Sequence, residues 1–449
     1  MNRSPFYLGD WQVNPQSNTL QRAEKTKQLE PKAMDVLVHL CLQKGEIVTS
    51  DELLDQCWKN VEIGDNPLHK IITQLRKALG DKASEPTYIE TIRKRGYRVI
   101  AKLEFPLAED IKTTENTWQG GSPFLGLSAY NPSDTHLFFG RNQSIETLLN
   151  RISSQVKFGR AFCLILGPSG TGKSSLVNAG ILPKLLDERG YNGIGVVSYS
   201  QLDFADVHKN RLFLDLASAL LDWDINAQPV FEGLSAQTLA EQLELTIDGV
   251  INAIQIALSK ASTQLKTPQL FLFIDRLEVL LSSPIFSSET RSHFLSVIER
   301  LATSKTVIVF SACRNDFYPL VVEQPSLMAG KAHGAHYDLT PPNRQELQQI
   351  IRLPALTANL TFSNDPQTQT PLDEILCADT ANNPDALPML QYTLQELYLQ
   401  RSDNNELLHS VYTKLGGIEG AIGKKAEDIF IDLSNEQQQQ LKNVLSQLI

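Results

Sequence analysis

Apolar and polar positions change period several times along the chain, and each change marks an element. Between Tyr7 and Glu30 short apolar bursts are broken by Gly9-Asp10, Asn14-Pro15 and Asn18. That pattern predicts a small antiparallel sheet of turns and short strands. After Pro31 the spacing becomes helical, with Met34, Val36, Leu37, Leu40 and Leu42 apolar before Gly45. Thr49-Ser50-Asp51-Glu52 reads as a capping box, the Thr49 hydroxyl accepting from the Glu52 N–H, and opens a helix carrying Leu53, Leu54 and Trp58 inward. A third helix begins at Pro67, whose missing N–H costs nothing in a first turn, with Asn66 as its cap. Leu68, Ile71, Ile72, Leu75 and Leu79 form one buried stripe on it, which leaves Asn66, His69, Lys70, Thr73 and Lys77 on the opposite face. Tyr88–Ile92 and Tyr97–Ile100 read as strands either side of the basic turn Arg93-Lys94-Arg95-Gly96. Sheet, three helices and hairpin, in that order, predict a winged helix-turn-helix.

Residues 104–121 are polar and acidic, end in Gly-Gly, and read as a linker. From Phe124 apolar strands alternate with amphipathic helices, an α/β signature. Beyond about residue 342 the strands are expected to stop and helices to continue. The expected organisation is multidomain α/β: a winged helix over 1–103, a linker over 104–121, a P-loop α/β core over 122–341, and a helical lid over 342–449 with the start of a following domain.

Composition and charge refine this picture. The 449 residues are 42% hydrophobic and 20% charged, which is globular rather than disordered. The net charge of -10 argues against a protein that coats nucleic acid, but it is unevenly spread. Residues 1–103 hold 16 Lys and Arg against 13 Asp and Glu, a balance of +3, and the remainder hold 25 against 38, a balance of -13. Only the N-terminal module is suited to an anionic partner. The five cysteines show no paired or metal-ligand spacing, and four lie in apolar runs, as reduced core thiols of a cytoplasmic protein do. No apolar stretch approaches the roughly 20 residues of a membrane helix, so no membrane partner is expected.

The chemistry concentrates after the apolar run Ala161–Leu166. Gly167-Pro168-Ser169-Gly170-Thr171-Gly172-Lys173-Ser174 fits GxxxxGK[ST], and Ser175-Leu176-Val177 then opens a helix. Glycines let backbone N–H groups turn inward around a β-phosphate, the helix N-terminus favours negative charge, Lys173 supplies a mobile cation, and Ser174 offers a hydroxyl to Mg²⁺. Such a loop needs a metal-side carboxylate on a neighbouring strand, and Asp275, ending the apolar run Leu270–Ile274, supplies it. Glu278 is placed to orient or deprotonate an attacking water; its plain alternative is a solvated loop carboxylate. Arg314, just past the strand Thr306–Ser311, could reach a γ-phosphate, its plain alternative being a surface ion pair.

These residues carry two resemblances. Pro123-Phe124-Leu125-Gly126-Leu127, Phe138-Phe139-Gly140-Arg141, the P-loop, Ile274-Asp275-Arg276-Leu277-Glu278, Arg314-Asn315-Asp316-Phe317-Tyr318, Leu387-Pro388-Met389-Leu390-Gln391 and Gly416-Gly417 closely resemble the novel STAND NTPases, AAA+-like ATP switches held off with ADP. The resemblance implies ATP or ADP with Mg²⁺ as ligands, Gly140 and Arg141 near the adenine, Pro384 touching the nucleotide from the lid, and self-association on activation. Arg276 and Val279 stand where the family carries Gln and a second acid, so slow hydrolysis is expected. Relatives continue past the point where this chain ends, so it reads as part of a longer frame.

Pro31-Lys32-Ala33-Met34-Asp35-Val36-Leu37, Leu75-Arg76-Lys77-Ala78-Leu79-Gly80-Asp81 and Ile92-Arg93-Lys94-Arg95-Gly96-Tyr97-Arg98 resemble the DNA-binding domain of OmpR/PhoB-class phosphorelay response regulators and of CadC/ToxR-like regulators. This implies a third helix in the major groove of double-stranded DNA and a wing in the adjacent minor groove. Asn66, His69, Lys70 and Thr73 are the groups for bases; Arg76 or Lys77 and the wing residues Arg93, Lys94, Arg95 and Tyr97 are those for the backbone. The expected function is a cytoplasmic one-component transcription regulator under an ATP/ADP switch. The competing expectation is a STAND-type defence or stress ATPase whose winged helix mediates protein contacts.

Overall fold

The computed structural model describes residues 6–15, 19–22, 25–43, 47–57, 67–82, 86–92, 95–104, 120–206, 208, 211–261, 263–381, 383, 386–434, 437–441 and 444. The chain separates into two compact units, residues 1–117 and 118–449.

In the first unit, β1 (Phe6–Leu8), β2 (Trp11–Asn14), β3 (Thr19–Arg22) and β4 (Lys25–Gln28) form an antiparallel meander. Helices α1 (Pro31–Leu42), α2 (Ser50–Cys57) and α3 (Pro67–Leu79) follow, then the hairpin of β5 (Ile89–Ile92) and β6 (Gly96–Val99). The short β7 (Leu103–Glu104) returns to pair with β1, completing the order β4-β3-β2-β1-β7. The Glu52 N–H donates to the Thr49 hydroxyl at 3.1 Å, so the cap that opens α2 forms. All five stripe residues of α3 are buried, each stabilising the fold by roughly 1.5–3 kcal/mol. The expected roles of Asn66 and Trp58 lie outside the described residues.

Gly96 is required by geometry. Its φ is +141°, and a Cβ there would sit 1.9 Å from the Val48 carbonyl oxygen. That close approach lets the Val48 and Tyr97 N–H groups each donate to the other's carbonyl, both at 2.9 Å, tying the hairpin to the segment ahead of α2.

The second unit is built on a five-stranded parallel sheet of β8 (Phe162–Gly167), β9 (Ile194–Asp203), β12 (Thr267–Asp275), β13 (Val307–Arg314) and β14 (His336–Asp338), in the order β14-β8-β13-β12-β9. A short ribbon, β10 (Asp224–Ile225) with β11 (Gln228–Pro229), lies between β9 and β12 in sequence. Side chains alternate between the two faces with period two. Leu270, Leu272 and Ile274 of β12 pack into one core with Trp223 and Phe294, whereas Phe271 and Phe273 pack into the other with Leu148 and Leu176.

Three expectations are corrected here. The strand that ends in Asp275 does not neighbour the P-loop strand, because β13 is inserted between β8 and β12. The strand expected to end at Ser311 continues to Arg314, since Ala312 and Cys313 are buried in the sheet. Strands also persist past residue 342: β15 (Thr361–Phe362) and β16 (Glu406–Leu407) form a small parallel pair among the lid helices. That lid has its own core, which includes Phe124 from the entry segment beside Leu347, Leu390 and Leu394. The described cysteine side chains, Cys41, Cys163, Cys313 and Cys377, are buried and unpaired. Among the described residues no helix is long and apolar enough to cross a membrane.

Candidate functional site

Every strand end that matters for phosphate chemistry opens onto one cavity of about 550 Å³, walled by the P-loop, the strand ends, the entry segment and the lid. The loop leaves β8 at Gly167 and turns through Pro168, Ser169, Gly170, Thr171 and Gly172 into the helix that begins Lys173–Ser175. Gly170 and Gly172 take φ of +75° and +86°, the left-handed region where glycine carries no Cβ penalty. At Gly170 a Cβ would also lie 2.5 Å from Pro388 Cγ, so the loop packs directly on the start of the lid helix Leu387–Leu399.

Lys173 Nζ donates to the Gly167 and Pro168 carbonyls at 2.9 and 2.8 Å. Burial pulls its pKa down, and the charges of Glu278 and Asp275 oppose that shift. The Ser174 hydroxyl donates to Asp275 Oδ2 at 2.5 Å although their strands are not adjacent. Asp275 is only 7% exposed; burial pushes its pKa up, and the bonds from Ser174 and the Arg276 N–H oppose the shift. Ser175 Oγ accepts from the Tyr130 N–H at 3.1 Å, and the Tyr130 hydroxyl donates to Gln391 Oε1 at 3.2 Å. One entry-segment residue thereby bridges the P-loop helix and the lid.

Glu278 is buried beside this floor and accepts from the Arg314 backbone N–H at 3.2 Å. It is not a solvated loop carboxylate. Arg314 lines the cavity but pairs with Asp316, two residues on, so the surface ion pair is the arrangement present. Gly140 packs against the lid helix Arg344–Thr357, where a Cβ would sit 2.6 Å from the Glu346 carbonyl oxygen. Arg141 is buried, donates to the Thr340 and Thr171 carbonyls at 3.0 Å each, and pairs with Glu346 at 3.8 Å. It braces the P-loop against the lid. Pro384 lies outside the described residues; Leu387 and Pro388 are the nearby lid residues that line the cavity.

Two residues given no role by the sequence stand at the cavity mouth. Asp203 ends β9 opposite Asp275, and Arg276 Nε and a terminal nitrogen donate to its two carboxylate oxygens at 2.8 and 2.6 Å. Arg276 was visible in the sequence only as a departure from a family pattern, and the pairing of β9 with β12 is what gives it a partner.

In the first unit, His69, Lys70, Thr73 and Lys77 are exposed on one side of α3, as is Arg95 at the hairpin. The Thr73 hydroxyl donates to the His69 carbonyl at 2.8 Å. Arg76 turns inward instead, donating to the Ile89 carbonyl at 2.8 Å and to Thr91 Oγ1 at 2.9 Å. Tyr97 is half-buried against the core. Asn66, Arg93 and Lys94 fall outside the described residues.

Residues 123–449 match the family model described as Novel STAND NTPase 1, and residues 24–99 match the one described as Transcriptional regulatory protein, C terminal. Transcriptional activator CadC of Escherichia coli (strain K12) is 36% identical over 104 residues, which is 23% of this chain and 20% of that protein. Transcriptional regulator HilA of Salmonella typhimurium is 37% identical over 98 residues, 22% of this chain and 17% of that protein. A solved structure of the DNA binding domain of E. coli CadC is 32% identical and covers 23% of this chain and 99% of that one, with a TM-score of 0.22. The chain therefore spans about a fifth of the length of these two curated relatives.

Proposed function

Starting from the fact that this chain belongs to the novel STAND NTPase family through residues 123–449, we propose that it is a cytoplasmic one-component transcription regulator, its winged helix binding double-stranded DNA under the control of an ATP/ADP switch. The observation that carries this reading is the hydrogen bond from Ser174 to Asp275 on the floor of the P-loop cavity, in a chain whose residues 24–99 match a transcriptional-regulator module.

The residues fit a magnesium nucleotide. The left-handed glycine turns suit a loop whose backbone N–H groups would cradle a β-phosphate, and Lys173, here bonded to two loop carbonyls, would supply its cation to a phosphate oxygen. Ser174 and Asp275 would hold Mg²⁺, which when bound offsets charge on the β- and γ-phosphates. Glu278, fixed by the Arg314 N–H, orients a water toward the terminal phosphate, with slow turnover as the outcome. Arg314 reaches that phosphate by leaving Asp316. On DNA, His69, Lys70 and Thr73 face bases while Lys77 and Arg95 face phosphates. Self-association on activation belongs to the same reading.

The purified chain should bind ADP and ATP with Mg²⁺, and Lys173→Ala should weaken both by roughly tenfold or more, because it deletes a charge-assisted contact. Calorimetric titration reads this directly. Unchanged affinity in the variant would remove the nucleotide half of the proposal.

A further inference from the structure

We propose that Arg276 distinguishes a nucleoside triphosphate from a diphosphate in this site, exchanging its ion pair with Asp203 for the terminal phosphate. The inference rests on the nucleotide-binding reading above. β9 and β12 are parallel neighbours, and their register sets Asp203 opposite Asp275 at the C-terminal ends. Two carboxylates at partnered positions repel each other, and Arg276 is the cation that spans them. Its backbone N–H donates to Asp275 Oδ1 at 2.9 Å while its guanidinium takes both oxygens of Asp203.

Arg276 adopts a φ of +56°, in the left-handed region that residues with a Cβ ordinarily avoid. The surrounding fold therefore holds this side chain at the strand ends, where it lines the cavity with Lys173, Ser174, Asp275 and Glu278. The pair it makes there is weak by position: its two side chains are 50% and 34% exposed, so water and salt screen it. A guanidinium meeting a phosphate in a cavity makes two parallel charge-assisted bonds, and these outcompete the exposed carboxylate.

Asp203 can release the arginine without losing its own place, because its Oδ1 also accepts from the Ala205 N–H at 2.9 Å. Ser174 and Asp275 would hold the metal ion, which when bound offsets charge on the terminal phosphates. Arg276, which follows Asp275 and lines the same cavity, would meet the third phosphate of a bound triphosphate, which a diphosphate lacks. Arg314 differs, since it ends β13 and its carboxylate partner Asp316 lies only two residues on, in the turn that follows that strand.

The test measures Mg-ATP and Mg-ADP affinities of the full chain by calorimetry for the wild type, Arg276→Gln, Arg276→Lys and Asp203→Asn. Arg276→Gln should weaken Mg-ATP by roughly tenfold and leave Mg-ADP within about twofold. Arg276→Lys keeps the charge without the planar fork and should fall between. Asp203→Asn removes the competitor and should shift preference toward Mg-ATP, which keeps the idea open to refutation should either Arg276 variant fold poorly. Equal losses for both nucleotides in Arg276→Gln, or an unchanged preference in Asp203→Asn, overturn the proposal. A wild-type chain that binds neither nucleotide removes the nucleotide reading as well, and the two failures are told apart by that control.

Discussion

Burial sets the behaviour of Asp275 more than any single partner does. Its pKa is raised because the carboxylate is taken out of water, and the bonds from Ser174 and the Arg276 N–H only partly offset this. A carboxyl whose pKa is higher in the folded than in the unfolded chain favours folding below the unfolded value. It loses that contribution as pH rises through the folded value. At neutral pH the ligand-free chain therefore carries a cost at this position, and a bound divalent cation offsets it. Asp275→Asn should leave ligand-free thermal stability at neutral pH undiminished, flatten its dependence on pH above the ordinary carboxylate range, and lower Mg²⁺-dependent nucleotide affinity by roughly tenfold or more. Thermal unfolding across that range, with and without Mg-nucleotide, measures all three. A ligand-free chain that loses stability on this substitution would contradict the burial argument. Lys173, Ser174 and Asp275 were legible in the sequence because each follows from a strand end and a local spacing. The Arg276–Asp203 pair was not, because the two residues are 73 apart and meet only through the register of β9 and β12.

Among the elements, α3 shows where periodicity suffices and where it fails. The stripe Leu68, Ile71, Ile72, Leu75 and Leu79 is buried as its spacing requires, and His69, Lys70, Thr73 and Lys77 stay exposed. Arg76 lies at the edge of the stripe, and its direction depends on where β5 passes, which no local pattern states. It crosses to the Ile89 carbonyl and Thr91, while the Asp81 carboxylate accepts from the Thr87 and Ile89 N–H groups at 2.6 and 2.8 Å. Helix and hairpin are thus joined at both ends of the connection. Arg76→Ala should cost roughly 1–2 kcal/mol of stability in the first unit, and weaken duplex binding through helix placement with the salt slope unchanged. Arg95→Ala should instead leave stability alone and reduce the salt slope by about one unit, as loss of one phosphate contact does. Titrating both variants against duplex DNA over a salt series separates the two. A reduced slope for Arg76→Ala would mean that it leaves β5 and contacts phosphate after all. Sheet order was equally hidden: β7 and the pair β15 and β16 have two residues each, too short for an alternating pattern to register.

At the scale of the whole molecule the uneven charge was plain in the sequence, whereas the contacts that the proposed coupling would use join distant segments of the second unit. Phe124 is fully buried in the lid core, Tyr130 joins the P-loop helix to Gln391, and Gly170 abuts Pro388. The entry segment of residues 122–131 therefore touches both the P-loop wall and the lid wall of the cavity, and it follows the linker in sequence. Under the proposed switch, a shift of the lid relative to the P-loop would displace Phe124 or Tyr130, and that displacement is how nucleotide state would reach the linker. Transmission of this kind requires a continuous chain. Introducing a protease site between residues 105 and 119 and cleaving the folded protein should leave nucleotide affinity in the second unit intact. The first unit should keep salt-sensitive duplex binding, since its core draws on residues of 1–117 alone. What should vanish is any difference in duplex affinity between the ADP- and ATP-loaded protein. Binding isotherms on an operator selected with the intact chain, measured before and after cleavage in each nucleotide, decide the matter. If the cleaved protein keeps its nucleotide effect, the signal crosses by surface contact rather than through the chain; if the intact protein shows no salt-sensitive duplex binding in either nucleotide, the winged helix serves protein contacts instead.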